Sequence, residues 1–166
     1  MRIVSVDTNI LIWGIKNTAS EGQEYLISRA QDFFKWLDEN NIKVIIPAPI
    51  ITELLAPVEP EKHEEFLKII HSKFRVAAVD EAAAVKCAEI WQIKKNDEEI
   101  RKYREENKIA RETMKYDFQI AAVAIVRGAE CLFSHDPHMQ RFVGDIITVK
   151  EMPAIHRQTE LDFKSE

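Results

Sequence analysis

Arg2-Ile3-Val4-Ser5-Val6-Asp7-Thr8-Asn9-Ile10-Leu11-Ile12-Trp13-Gly14-Ile15 opens the chain with a change of period. Arg2 to Val6 is a short β-prone run that stops at Asp7, and Asn9 to Ile15 then follows a helical pattern. A strand running straight into a helix is the signature of an α/β layer structure, and the same alternation continues outward from it.

Ser20 opens a polar-capped amphipathic segment with Tyr25, Leu26, Ala30, Phe33, Phe34 and Leu37 at helical spacing. Lys43 to Ile46 reads as the second strand. Pro47 and Pro49 punctuate it and suit the first turn of a short helix, Ile50 to Ala56. Glu61 to Lys73 is amphipathic, Phe74 to Val79 is the third strand, and Asp80 caps a helix reaching at least Trp91. Asp117 to Arg127 is nearly all apolar and reads as a buried helix closed by Gly128. Glu130 to Phe133, Pro137 to Val143 and Ile146 to Val149 complete the series as strand, helix and strand. The expected fold is a single-domain α/β/α sandwich around a mainly parallel sheet. It occupies residues 1–150 with a helical extension around 94–115, and residues 151–166 form a polar tail.

Composition narrows the function. The 166 residues carry 23 basic and 28 acidic side chains for a net charge of −5, with 46% hydrophobic residues, as in a globular domain. Cys87 and Cys131 lie in apolar surroundings without metal-ligand spacing, so a disulfide scaffold and a zinc site are not expected. The apolar run Ile120–Val126 is far too short for a bilayer, and Asp7 interrupts the N-terminal stretch where a signal peptide would continue. A cytoplasmic location without membrane attachment is expected. No Gly-rich phosphate loop or Gly-x-Ser-x-Gly elbow occurs.

In a parallel sheet with right-handed crossovers, strand C-termini and helix N-termini share one edge, where ligands bind. Four acids fall there by connectivity. Asp7 closes the first strand, Glu53 sits early in the helix after the second, Asp117 opens the helix before the fourth, and Asp136 follows the fourth. Each taken singly has an ordinary reading as a cap or a dipole partner, which is also how Asp80 reads. Together they do not, because Glu53 and Asp117 lie in apolar runs, and two carboxylates at about 5 Å repel by roughly 3 kcal/mol at an effective dielectric near 20. A divalent cation relieves that repulsion. An all-oxygen site suits Mg²⁺ or Mn²⁺, and the matching chemistry is hydrolysis of a phosphate ester. His135 and His138 flank Asp136 and read as surface or supporting groups, since hard cations prefer oxygen. Asp145 reads as a turn residue, and Trp13, Trp36 and Trp91 as core or interface anchors.

Val6-Asp7-Thr8-Asn9-Ile10-Leu11-Ile12, Thr52-Glu53-Leu54, Asp117-x-x-Ile120-Ala121-Ala122-x-Ala124 and Leu132-Phe133-Ser134-x-Asp136, in that order, resemble the PIN-domain ribonucleases over about residues 1–150. The resemblance implies metal-dependent cleavage of RNA, with Asp7, Glu53, Asp117 and Asp136 as the acidic quartet and Mg²⁺ or Mn²⁺ as cofactor. It implies that Thr8 or Ser134 orients a ligand or water and that Asn9 holds the active-site turn; helix capping is the alternative for Thr8 and Asn9. By layout the chain is similar to VapC-type toxins, which implies a homodimer and a small antitoxin partner. Two features depart from the pattern: the longer interval around Lys94–Thr113, and Ser134 where the family often has threonine. They leave the metal chemistry intact and keep open an RNA-processing nuclease outside toxin–antitoxin pairs; a non-catalytic RNA- or protein-binding module is a separate alternative. A phospho-acceptor receiver domain is weaker, because no adjacent acidic pair closes the first strand.

The longer interval carries a pattern of its own. If Asp97 to Lys115 is one helix, Arg101, Arg104, Lys108, Arg111 and Lys115 fall within an arc of roughly 80°, with Ile100, Tyr103, Ala110 and Met114 turned to the core. The stripe reads either as a phosphate track leading to the acids or as a solvated face with i,i+4 ion pairs.

Overall fold

The computed structural model describes residues 1–155; the end of the polar tail, 156–166, lies outside them. Strand β1 (Ile3–Val6) leads into α1 (Thr8–Leu11), which widens into a π-helical turn over Ile12–Lys16, and α2 (Tyr25–Glu39) follows. Next come β2 (Lys43–Pro47), α3 (Ala48–Leu55), α4 (His63–Lys73), β3 (Arg75–Ala77), α5 (Glu81–Lys94) and α6 (Glu98–Glu106). The chain closes with α7 (Arg111–Val126), β4 (Leu132–Phe133), α8 (Pro137–Val143) and β5 (Val149–Lys150).

All strand pairs are parallel, in the order β3-β2-β1-β4-β5. The chain winds outward from β1 to one side, then returns to β1 and winds to the other. The reversal between β1 and β4 leaves a crevice beyond their C-terminal ends, the usual ligand position in open α/β sheets. The register puts Val6 opposite Phe133, so Asp7 and Ser134 leave the sheet side by side.

The central strands are apolar on both faces because helices cover both. Val4, Val6, Ile46 and Leu132 are buried in one core with Ile10, Leu11 and Phe33 and with Phe118, Ile120 and Ala121. Gly128 follows α7 with φ +74°, a left-handed position that favours glycine and ends the helix as expected. Asp80 caps α5 through Ala83 N–H and also pairs with Arg127. Met152 is fully buried, and its carbonyl accepts from Arg29, so packed structure continues past Glu151.

Three sequence expectations need correction. The segment 97–115 is two helices: Asn107 ends α6, Lys108 takes a left-handed turn at φ +55°, and Ala110 starts α7. Asp117 therefore lies in the second turn of α7, not at its start. Tyr25 begins α2 but points outward, with 63% of its surface exposed, because the core face of that helix starts at Leu26.

Candidate active site

Asp7 is the cap of α1. Its Oδ1 accepts from Thr8 N–H at 2.8 Å, and its Oδ2 accepts from the Ser134 hydroxyl at 2.6 Å. The cap thus belongs to Asp7 itself, not to Thr8 or Asn9. The carboxyl is buried, and burial raises its pKa above the ordinary 3.8; the two hydrogen bonds oppose that rise and the charge of Asp136 adds to it.

Ser134 ties two acids together. While donating to Asp7 it accepts from the backbone N–H of Asp136 at 3.0 Å. Asp136 in turn caps α8, its Oδ1 taking His138 N–H at 2.8 Å. Glu53 comes from α3, at the rim of the crevice, where Thr8 donates its hydroxyl to Oε2. Desolvation raises the Glu53 pKa, the Thr8 bond lowers it, and the charges of Asp7 and Asp136 raise it again.

Asp117 completes the set from α7. It is 7% exposed, and its Oδ2 is buried without a hydrogen-bond partner among the described residues. Its pKa is pushed up to about 8, first by burial and then by the charges of Asp7, Asp136 and Glu53. Asp117 thus feels the charges of three carboxylates remote from it in sequence. A buried, unpaired carboxylate oxygen costs on the order of 1–3 kcal/mol or more, so its retention needs a reason outside packing. Among the described residues no three acidic, histidine or cysteine side chains are drawn together tightly enough to hold an ion ready-made. Each of Asp7, Asp136 and Glu53 is instead turned to a protein donor. In donor chemistry the set fits a hard divalent cation, being carboxylate oxygen with no thiol among it.

The remaining candidates separate. Thr8 and Ser134 position the acids. Asn9 is exposed and lines an adjoining hollow. His135 accepts from Met152 N–H through Nε2, and His138 is bonded through Nδ1 to the Tyr103 hydroxyl at 2.8 Å, so each has a protein partner. The basic residues do not form one stripe. Arg101 lies near Glu98, Arg104 is half-buried, and Lys108 sits in the turn. Arg111 and Lys115 stack on Trp91, 4.4 and 5.2 Å from its ring centre. At about 100° per residue Lys115 points roughly 160° away from Asp117 around α7.

Two positioning residues escaped the sequence reading. Tyr116, beside Asp117, donates its hydroxyl to the Pro49 carbonyl and so ties α7 to the first turn of α3, which carries Glu53. Tyr103 ties α6 to His138 in the first turn of α8, just beyond its cap Asp136. An aromatic hydroxyl next to a predicted acid was the available signal for the first; the second depends on α6 folding back and had none. Lys94 is 5% exposed and bonded to both Asp145 oxygens at 2.7 Å, so the turn residue Asp145 also pins α5 to the segment before β5.

A parallel sheet in this order defines a fold that known proteins share. The PIN domain family model matches residues 4–144, and the chain belongs to that family. Among solved structures, VapBC2 from Rickettsia felis, bound to a DNA fragment from its promoter, is 17% identical with a TM-score of 0.57, covering 90% of this chain and 98% of its own. DNA-bound VapBC from Salmonella typhimurium is 19% identical with a TM-score of 0.58, covering 92% of this chain and 100% of its own. At such identities the likeness is one of fold. No curated protein matches the chain. Among the described residues no helix is long and apolar enough to cross a membrane.

Proposed function

We propose that this PIN-type nuclease is an endoribonuclease that hydrolyses RNA phosphodiester bonds with Mg²⁺ or Mn²⁺. The observation that carries the reading is the buried Asp117 carboxyl, whose Oδ2 has no hydrogen-bond partner among the described residues and which feels the charges of Asp7, Asp136 and Glu53. Asp7, Asp117 and Asp136 would hold the cation, with Glu53 completing the set. Bound there, it supplies the positive charge that offsets the phosphoryl oxygens and acidifies water.

The chain's own groups do the rest. Ser134 and Thr8 N–H fix both oxygens of Asp7. Glu53, nearest solvent and held by Thr8, accepts the proton of the attacking water. The water oxygen bonds to phosphorus, the bond to the 3′ oxygen breaks, and that oxygen takes a proton from solvent, leaving a 5′-phosphate and a 3′-hydroxyl. Assay of Asp7→Asn with Mn²⁺ on an RNA pool tests this: activity should fall at least a hundredfold, and full activity would end the proposal.

Within this reading the chain acts in the cytoplasm as the toxin of a toxin–antitoxin pair, supported by its likeness in fold to the two VapBC structures. A small antitoxin is the partner, and Val85 and Ile93, exposed on α5, favour a homodimer. A neighbouring reading frame for a small DNA-binding protein supports the toxin role; its absence points to RNA processing. A non-catalytic RNA- or protein-binding module is the second reading, in keeping with acids that, among the described residues, are not gathered into a ready-made ion cage. Thermal melting separates the two, because a cation-binding site gains stability from millimolar Mn²⁺ and an inert one does not.

A further inference from the structure

A hollow of about 480 Å³ has Asn9 and His135 in its lining. Asn9 is two residues from Asp7, and His135 stands between Ser134 and Asp136, so the hollow is lined by the immediate chain neighbours of two of the acids. The volume is in the roughly 300–1,000 Å³ range of small-ligand sites.

Its lining has a distinct chemistry. No lysine, arginine, aspartate or glutamate contributes to it. Tyr25, the exposed aromatic at the start of α2, stands at its edge, and Trp13 and His135 meet inside in an edge-to-face pair 5.2 Å apart. The His135 ring is locked by Met152 N–H on Nε2, which leaves its proton on Nδ1. Asn9 and Gln23 line the hollow with side-chain amides that have no partner among the described residues. Gln23 is held by a turn in which its N–H bonds to the Ser20 carbonyl at 2.9 Å, with Gly22 at φ +81°.

Aromatic faces with paired amide donors and acceptors, and no charge, do not suit a phosphate. They suit a flat heterocycle, stacked on a ring and hydrogen-bonded along its edge, which is how proteins take up unpaired RNA bases. We propose that this hollow is a nucleobase subsite, receiving one unpaired base of the RNA chain next to the scissile phosphate. The inference rests on the ribonuclease reading and adds to it: the enzyme selects single-stranded sites by reading a base beside the cut.

The test compares wild type with Tyr25→Ala and Gln23→Ala, both at exposed positions. Binding of a fluorescein-labelled single-stranded RNA hexamer, and of hexamers carrying one abasic residue at each position in turn, is followed by anisotropy in EDTA. Tyr25→Ala should weaken the intact hexamer about tenfold, within what one aromatic stack contributes. It should weaken one abasic hexamer less than twofold. Gln23→Ala should flatten the base preference at one position beside the cut in a random RNA pool, raising KM with kcat retained. Equal weakening of intact and all abasic hexamers by Tyr25→Ala would overturn the subsite. So would Mn²⁺-dependent cleavage by wild type whose base preference both variants keep, and in that case the ribonuclease reading stands. Wild type that cleaves no RNA with Mn²⁺ sinks the ribonuclease reading and the subsite with it.

Discussion

Replacing Asp117 by asparagine should stabilise the metal-free protein at alkaline pH while abolishing its response to cation. In the native fold the carboxyl holds its proton up to about pH 8, against an ordinary 3.8. Between those values the native state binds the proton and the unfolded state has released it, so the residue's contribution to stability falls as pH rises through that window. At about 1.36 kcal/mol per tenfold, the displacement from 3.8 to about 8 bounds the penalty at roughly 6 kcal/mol. Water and counterions admitted at the rim reduce it, and we expect about 2 kcal/mol at pH 8.5, or roughly 4–8 °C in Tm for a domain of this size. Melting wild type and Asp117→Asn in EDTA from pH 4 to pH 9 should show curves that nearly meet at pH 4 and diverge above it. Adding Mn²⁺ at about a hundred times its Kd should then raise wild-type stability by about 2.7 kcal/mol and leave the variant unmoved. A variant less stable than wild type at pH 8.5, or a difference that does not change with pH, would refute the reasoning.

Other perturbations have separate signatures. Ser134→Ala removes one of the bonds that hold down the Asp7 pKa, so the pH at which Mn²⁺-dependent cleavage appears should move upward, with about 1–2 kcal/mol lost in denaturant melts. Asp145→Ala leaves the buried Lys94 ammonium unpaired and should cost about 2 kcal/mol in urea unfolding; a loss below about 0.5 kcal/mol would show the pair to be incidental. Tyr103→Phe deletes the bond to His138 and should lower kcat a few-fold at constant KM, with about 1 kcal/mol of stability lost.

Much of the fold was legible because its signals are local. Pro137 to Val143 reads as a helix and is one, since Asp136 caps it and proline fits its first turn. Asp80 before α5 and Gly128 after α7 are read the same way. The segment 97–115 misled because i,i+4 periodicity survives a short break: Asn107 and Lys108 interrupt the helix without a glycine or proline to announce it. Tyr25 misled because periodicity reports spacing, not where the core ends.

From the sequence alone came the order of strands and helices, and with it the placing of Asp7, Glu53, Asp117 and Asp136 at one edge, since parallel crossovers admit only one such edge. Only the tertiary structure decided how those acids behave. Burial and mutual charge depend on neighbours far away along the chain: Ser134 on Asp7, Thr8 on Glu53, and none of the described residues on the second oxygen of Asp117. Electrostatic energy follows distance in space and access to water, neither of which a one-dimensional pattern records.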